Sequence, residues 1–420
     1  MSKLQPPAHC YFGNRIKKMV NLTRFEAQKR KSYSNNMRNS LIAILLVSVF
    51  SSVSHGQQIT NNYRIVSSAV PFLTISPDSR AAAMGDAGVA SSPDVNSVYW
   101  NTAKLAYAEK DAGINFSYAP WLRDLVGDMG LLNTSAYKKV GEGKAITLGF
   151  TYFNQGLIEF TTNTGAFAGD FQSREFALAA GYAMKLGQDF SAGINLKFIN
   201  SNLIGSQVVN NQASKPAKSA AGDLSFYYHK DRPSDELKKN DIAFGLTLSN
   251  IGGKVNYGLD KEYFLPMNLK LGTKFTINPD PSNQFNFLLD FNKLLVPTPQ
   301  EDGTLPKYGT VEAIFKSFSD APDGFGEEMR EFTSSIGAEY IYQKLMAIRA
   351  GYFFEPVSKG GRKYVTMGAG LKLKELYGLD LAYLIPTTSG NPLANTWRIT
   401  LNYNIPTKTA SNATPNNGLN

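Results

Sequence analysis

Cysteine is almost missing from this chain, with Cys10 the only one in 420 residues. It lies ahead of the leader-cleavage site read below, so the mature protein is expected to hold neither a disulfide nor a thiolate site. Histidine is nearly as scarce, and of His9, His55 and His229 only the last falls beyond the leader. It stands in the charged stretch His229-Lys230-Asp231-Arg232-Pro233 and reads as a solvated surface residue. No nucleophilic triad can be assembled from one histidine, so no enzyme, catalytic residue, metal site or cofactor is expected. Long apolar runs are missing as well. Leu41 to Phe50 gives ten residues, about half of the ~20 that a membrane-spanning helix needs.

That run has another reading. Met37-Arg38-Asn39-Ser40 is a basic start, Leu41 to Phe50 the apolar centre, and Ser54-His55-Gly56 a small-residue cleavage site, which together make residues 37–56 a signal peptide cut near Gly56/Gln57. Residues 1–36 then read as an extension upstream of the true start. The leader also removes the apparent basic excess. The net charge of +9 comes from 43 basic and 34 acidic residues, and the first 56 residues hold nine of the former and one of the latter. The remainder is near neutral, at +1, which removes the electrostatic case for nucleic acid.

What is present is alternation. Phe190, Ala192, Ile194, Leu196 and Phe198 are apolar between Ser191, Gly193, Asn195 and Lys197, and Trp397, Ile399, Leu401 and Tyr403 alternate with Arg398, Thr400, Asn402 and Asn404. Fourteen such strands are expected, near 112–119, 129–140, 144–153, 172–185, 189–199, 221–229, 241–251, 266–277, 284–295, 331–342, 345–354, 363–374, 377–385 and 396–405. Many reach the ~9 to 11 residues that cross a bilayer when tilted. Their connections alternate between long and short, as outer-membrane barrels require; only 230–240 is long for a turn. The fold class predicted is all-β, a transmembrane antiparallel β-barrel over residues 112–405, its apolar face toward lipid. A secreted sandwich also alternates and is the competing reading. Residues 310–319 carry Val311, Ile314, Phe315 and Phe318 at helical spacing, and a second short helix opens at Asp323 to Glu328. Both fall in the largest loop, 296–330, expected to be extracellular. Residues 406–420 read as a disordered tail.

Ahead of the strands, residues 57–111 hold a non-alternating, small-residue-rich insert, GDAGVASSPDVNSVYWNTAKLA from Gly85 to Ala106. With Gly85, Gly88, Ala90, Asp94, Ser97, Asn101, Ala103, Leu105 and Ala106, it resembles the lumenal plug of FadL-like outer-membrane barrels. Thr102 and Lys104 depart from it, standing where FadL transporters commonly show Pro and Gly. The run Ile75 to Ala106, the Ala119-Pro120-Trp121-Leu122-Arg123-Asp124 loop, and Ser317 to Pro322 followed by Gly324-Phe325 are similar more narrowly to the PorV family within that group. The resemblance implies an outer-membrane component of the type IX secretion system of Bacteroidetes. Such proteins receive cargo by a conserved C-terminal domain from a giant translocon barrel and pass it to a surface complex with the sortase PorU. Membrane lipid and these proteins are the partners implied, and nucleic acid is not.

Apolar loop residues Trp121, Leu122, Leu125 and Val126, with Phe318 and Phe325, are the candidate partner contacts. An alternative has the first group folding back over the barrel mouth. The carboxylate pairs Glu327-Glu328 and Asp235-Glu236 read as solvated faces, and Gly368-Ala369-Gly370 and Gly252-Gly253 as strand packing and a loop. A FadL-type transporter of hydrophobic compounds such as fatty acids, with the insert as a movable plug, is the alternative function; a purely structural barrel is a third.

Overall fold

The computed structural model describes residues 63–123, 125–162, 164–205, 207–209, 212–230, 240–388 and 391–405. The leader, the upstream extension, the long turn at 231–239, the Asp235-Glu236 pair and the tail lie outside these residues. Among the described residues, fourteen long strands close a barrel in which every neighbouring pair is antiparallel. In chain order they are β1 (Ala112–Pro120), β2 (Gly130–Gly141), β3 (Lys144–Thr161), β4 (Phe167–Lys185), β5 (Phe190–Asn202), β8 (Ala217–His229), β9 (Asp241–Gly252), β12 (Asn268–Asp280), β13 (Asn283–Leu294), β14 (Thr333–Tyr342), β15 (Met346–Phe354), β16 (Lys363–Leu373), β17 (Tyr377–Pro386) and β18 (Trp397–Ile405). Closure comes from β1 on β18, with Ala112 opposite Ile405 and Tyr118 opposite Ile399. Within the described barrel no strand is left as an open edge, and the backbone polar groups of the strands are satisfied within the wall.

The alternation is turned inside out relative to a soluble protein. Phe116, Leu148, Leu196, Ile348 and Leu401 point outward and are exposed, while Asn115, Thr147, Asn195, Arg349 and Thr400 are buried inside. A water-soluble sandwich would bury the first set. Exposed apolar positions around a closed ladder fit a barrel solvated by lipid, so the sandwich reading is excluded. Tyr118 and Trp397 meet edge to face at 5.9 Å near one rim, and the tilted rings of Tyr377 and Tyr403 lie 5.2 Å apart near the other, in keeping with interfacial aromatics.

Two departures from the sequence reading have local causes. The β3–β4 hairpin runs well beyond the expected ends, because register shifts at Asn154/Gly156 and Phe160/Thr161 break the two-residue period while pairing continues. Two short hairpins, β6 (Val208–Val209) with β7 (Gln212–Ala213) and β10 (Val255–Asn256) with β11 (Glu262–Tyr263), sit within long connections. Two residues are too few to show a period. The large loop does contain helices, Thr310–Lys316 and Phe325–Arg330.

Candidate functional site: the filled lumen and the loop rim

Residues 63–111 thread the lumen from the long-loop end to the short-turn end, where β1 begins. At entry the Ala69 amide donates to Phe264 O, and Phe72 stacks on Phe153 of β3 at 6.3 Å. At exit the Tyr107 hydroxyl donates to Gln188 O in a short turn. The wall this segment meets is mostly polar, so its apolar packing is confined to patches such as Met84 and Ala87 on Leu288 and Ala103 on Tyr227 and Ala243. Hydrogen bonds to inward side chains hold the rest. Asp290 of β13 accepts from the Gly88 and Val89 amides at 2.8 and 2.9 Å, Thr366 of β16 from the Gly85 amide at 2.8 Å, and Thr400 of β18 from the Ser79 amide at 2.9 Å. Asn195 of β5 donates to Thr102 and to Val98 O, and Thr247 of β9 to Trp100 O. Each bond satisfies a plug group that no secondary structure serves.

Within the plug, Asp78 caps the turn Ser79–Ala82 through the Ala81 amide and also accepts from the Trp100 indole. Gly88 lies flat beneath that indole. Lys104, fully buried, donates to Gly88 O at 2.7 Å and Ser91 at 2.9 Å. The charged centre is Arg80, whose guanidinium grips Glu339 of β14 through two nitrogens at 3.0 and 2.9 Å and Asp94 of the plug at 2.8 Å. Arg349 of β15 completes the row, 2.8 Å from Glu339 and 2.7 Å from Asp380 of β17. Bidentate guanidinium–carboxylate pairs are both strong and directional.

The plug also depends on a smooth wall. Gly245, Gly272, Gly337, Gly351 and Gly368 lie where the backbone or Cβ of Met84, Ala83 and Val89 presses on the strands. Gly368, read as strand packing, packs against the plug as well. Gly85 itself takes φ +68°, which costs a residue with a Cβ, and faces the Tyr352 backbone.

The rim is built on a second set of ion pairs. Lys293, wholly buried at the end of β13, contacts Glu328 at 3.1 Å and Glu331 at 2.5 Å. Lys359 contacts Glu327 at 2.7 Å and Glu331 at 2.8 Å, and Arg64 contacts Glu327 at 2.7 Å and Asp323 at 3.1 Å. Three separate segments, the plug entry, the 296–330 loop and the 355–362 loop, are thereby clasped together. The Glu327-Glu328 pair is thus a buried ion-pair partner and not the solvated face expected, since three cations distant in sequence converge on it. His229 is likewise corrected: its Nε2 lies 2.8 Å from Asp241 across the β8–β9 pair, and its ring stacks on Tyr227 at 6.0 Å.

Burial pushes the Glu327 carboxyl up, but the Lys359 hydrogen bond, the Asp323 amide and the charges of Lys359 and Arg64 outweigh it and hold it below the ordinary 4.5. A carboxylate lowered on folding adds stability that is fully present above its ordinary value and lost as pH falls through the folded one. Protection of the amides in residues 296–330 against exchange, corrected for the intrinsic rate at each pH, is therefore expected to be high at neutral pH and to fall as the pH drops below the ordinary carboxylate value. Protection unchanged over that range would remove the ion pairs as the clasp.

Of the residues singled out in the sequence, Gly85, Gly88, Ala90, Ser97, Asn101, Ala103 and Leu105 are all buried in the plug, and Asp94 is half-buried on Arg80. Trp121 and Leu122 pack on Phe353, Tyr364, Leu384 and Leu393. They cover the barrel mouth instead of standing clear of it. Val126 is half-buried and Leu125 is 65% exposed. Phe318 and Phe325 are exposed, joined by Val311, Phe315 and Met329. Sequence reasoning missed Arg64, Arg80, Asp290, Lys293, Glu339, Arg349 and Lys359. The signal for those on strands was there: charge at wet-phase positions of a lipid-facing strand has to find a partner in the lumen.

A family described as type IX secretion system protein PorV matches residues 58–301, more than half of the chain. No curated protein matches the sequence. Among solved structures the chain is similar to the CymD monoaromatic hydrocarbon channel, at 12% identity and TM-score 0.45 over 80% of this chain and 99% of that one. It is similar also to the toluene transporter TodX of Pseudomonas putida (13%, TM-score 0.43, 77% and 95%) and to a FadL homologue of Pseudomonas aeruginosa (12%, TM-score 0.42, 81% and 99%). These likenesses are weak in identity and in superposition, and the barrel assignment rests on the strand ladder itself. The chain belongs to the PorV family of outer-membrane proteins, components of the type IX secretion system.

Proposed function

We propose that this barrel is a non-catalytic docking station. It receives secreted proteins by their C-terminal domain from the giant translocon barrel and passes them to the surface attachment complex that carries the sortase PorU. It does so in the outer membrane of a Bacteroidetes-type bacterium, after cleavage of its leader near Gly56/Gln57. The observation that carries this reading is the rim. Val311, Phe315, Phe318, Phe325 and Met329 present apolar surface on two short helices and the turn after the first, with Phe315 and Phe325 73% and 79% exposed. A loop left loose would fold such residues inward, whereas here buried ion pairs hold the loop from beneath. Exposed aromatics on a pre-ordered support are what a protein-binding surface needs. Leu125, on the 121–129 loop, is the other exposed member of the candidate contact set.

A FadL-type route for hydrophobic compounds is favoured less, because the lumen is crossed by Arg80, Glu339, Arg349 and Asp380 in ion pairs. An apolar solute would have to part them.

The test is affinity purification of the tagged protein from its native outer membrane in mild detergent, with mass spectrometry of what is retained. A very large barrel, a sortase-like protein or cargo sharing one C-terminal domain is expected. Phe315→Ser combined with Phe325→Ser is expected to lose these partners while stability shifts by no more than about 0.5 kcal/mol, as surface changes do. Recovery of the protein alone with bound hydrophobic small molecules would overturn the reading in favour of transport.

A further inference from the structure

Three polar side chains, each more than nine-tenths buried, line one cavity of about 260 Å³ between the plug and the wall on the loop side: Ser76, Asn268 and Lys270. The Ser76 hydroxyl and the Asn268 side-chain oxygen have no hydrogen-bond partner among the described residues. Lys270 forms no ion pair there; its ammonium rests over the rings of Tyr99 and Trp100, 4.8 and 4.9 Å from their centroids. The neighbouring carboxylates, Asp223, Asp290 and Asp86, are each engaged by other groups, with one Asp290 oxygen left without a partner among the described residues. Asp223 pairs with Lys197 at 2.8 Å, Asp290 takes two plug amides, and Asp86 takes the Tyr364 hydroxyl and Arg398.

An unpaired ammonium beside two unsatisfied polar atoms is costly to bury. The cost is offset if a ligand supplies the missing groups. We infer that this cavity binds the carboxylate of a small hydrophilic molecule. The carboxylate accepts from Lys270 and Ser76, and a hydroxyl or amide N–H beside it donates to the Asn268 oxygen. The Trp100 ring forms part of the wall. The cavity lies near the lower end of ligand pockets, ~300 Å³, which suits a hydroxy acid or the last residues of a polypeptide. Exposed Ile65 and Thr74 stand at its mouth, so entry is from the loop side. This inference is independent of the docking function proposed above.

The experiment uses the folded full barrel in detergent, read by tryptophan fluorescence and by thermal unfolding. The probes are lactate, triglycine and triglycine amide. Saturable binding of lactate or triglycine is expected, raising the unfolding temperature, with the amide at least tenfold weaker. Lys270→Met is expected to weaken binding roughly 10- to 100-fold, the loss of a charge-assisted hydrogen bond. It should also raise the unfolding temperature of the unliganded protein, since it removes an unpaired buried charge. Ser76→Ala gives a milder loss and serves as the second variant. Binding of both acids points to a free small acid as sufficient, and binding of triglycine alone to a chain terminus. The inference fails if neither acid binds, if the amide binds as well as the acid, or if Lys270→Met binds as well as the native protein.

Discussion

Gly351→Val is expected to leave the fourteen-strand ladder closed and to raise the conductance of the barrel. A Cβ at this position would overlap the backbone of Met84 and Gly85, so one side has to move. The wall is fixed by ladder bonds to β14 and β16, whereas Gly85 is held to the wall through the hydrogen bond from its amide to Thr366. Overpacking of this kind costs ~1–3 kcal/mol or more. The cheaper relief is for the plug, which has no continuous ladder of its own, to leave its seat. Planar-bilayer recordings should show larger and more frequent openings than the native protein, and protease added to the folded barrel should cut between residues 63 and 111. Native conductance together with an uncut plug would mean that the close approach at Gly351 does not decide where the plug sits.

Arg80→Met carries the second large effect. The substitution roughly keeps the length of the side chain and deletes the cation that bridges Asp94 of the plug to Glu339 of the wall. Asp94 is left half-buried without its partner, and Glu339 keeps Arg349 and the Asn286 amide. Removing one member of a buried pair typically costs ~3–5 kcal/mol, mostly as the penalty for the stranded charge. The plug should therefore exchange its amides faster and the unfolding temperature should fall. Adding Asp94→Asn should restore part of the loss, because the stranded charge goes with it. If the double variant were no more stable than the single, the ion pair would not be the fastening it is taken for here. Arg80→Met should leave the rim helices in place, since Lys293, Lys359 and Arg64 hold them separately.

These two variants touch residues of different legibility. Gly85 was readable in the sequence, because a small-residue insert ahead of an alternating array is itself a signal. Gly351 and Arg80 were not, because nothing local says that a glycine of one strand meets a plug residue more than 260 positions earlier, or that an arginine in a short turn reaches β14. The same holds for the Glu327-Glu328 pair. In sequence it sits among acids, glycine and a single Arg330, which reads as solvated; in space Lys293, Lys359 and Arg64 surround it. Trp121 and Leu122 show the converse. Apolar side chains on a loop left exposure and folding back over the mouth equally open, and the long connection lets them turn back onto Phe353 and Tyr364.

The sequence by itself determined the strand count, the parity of long and short connections, and which face of each strand is apolar. All three follow from local period and turn composition, and a barrel of this size inherits its wall from them. Only the tertiary structure decided what fills the lumen and what holds the rim. Those contacts join residues brought together by closure of the ladder, and ion pairing and close packing depend on distance in space, to which a one-dimensional period is blind.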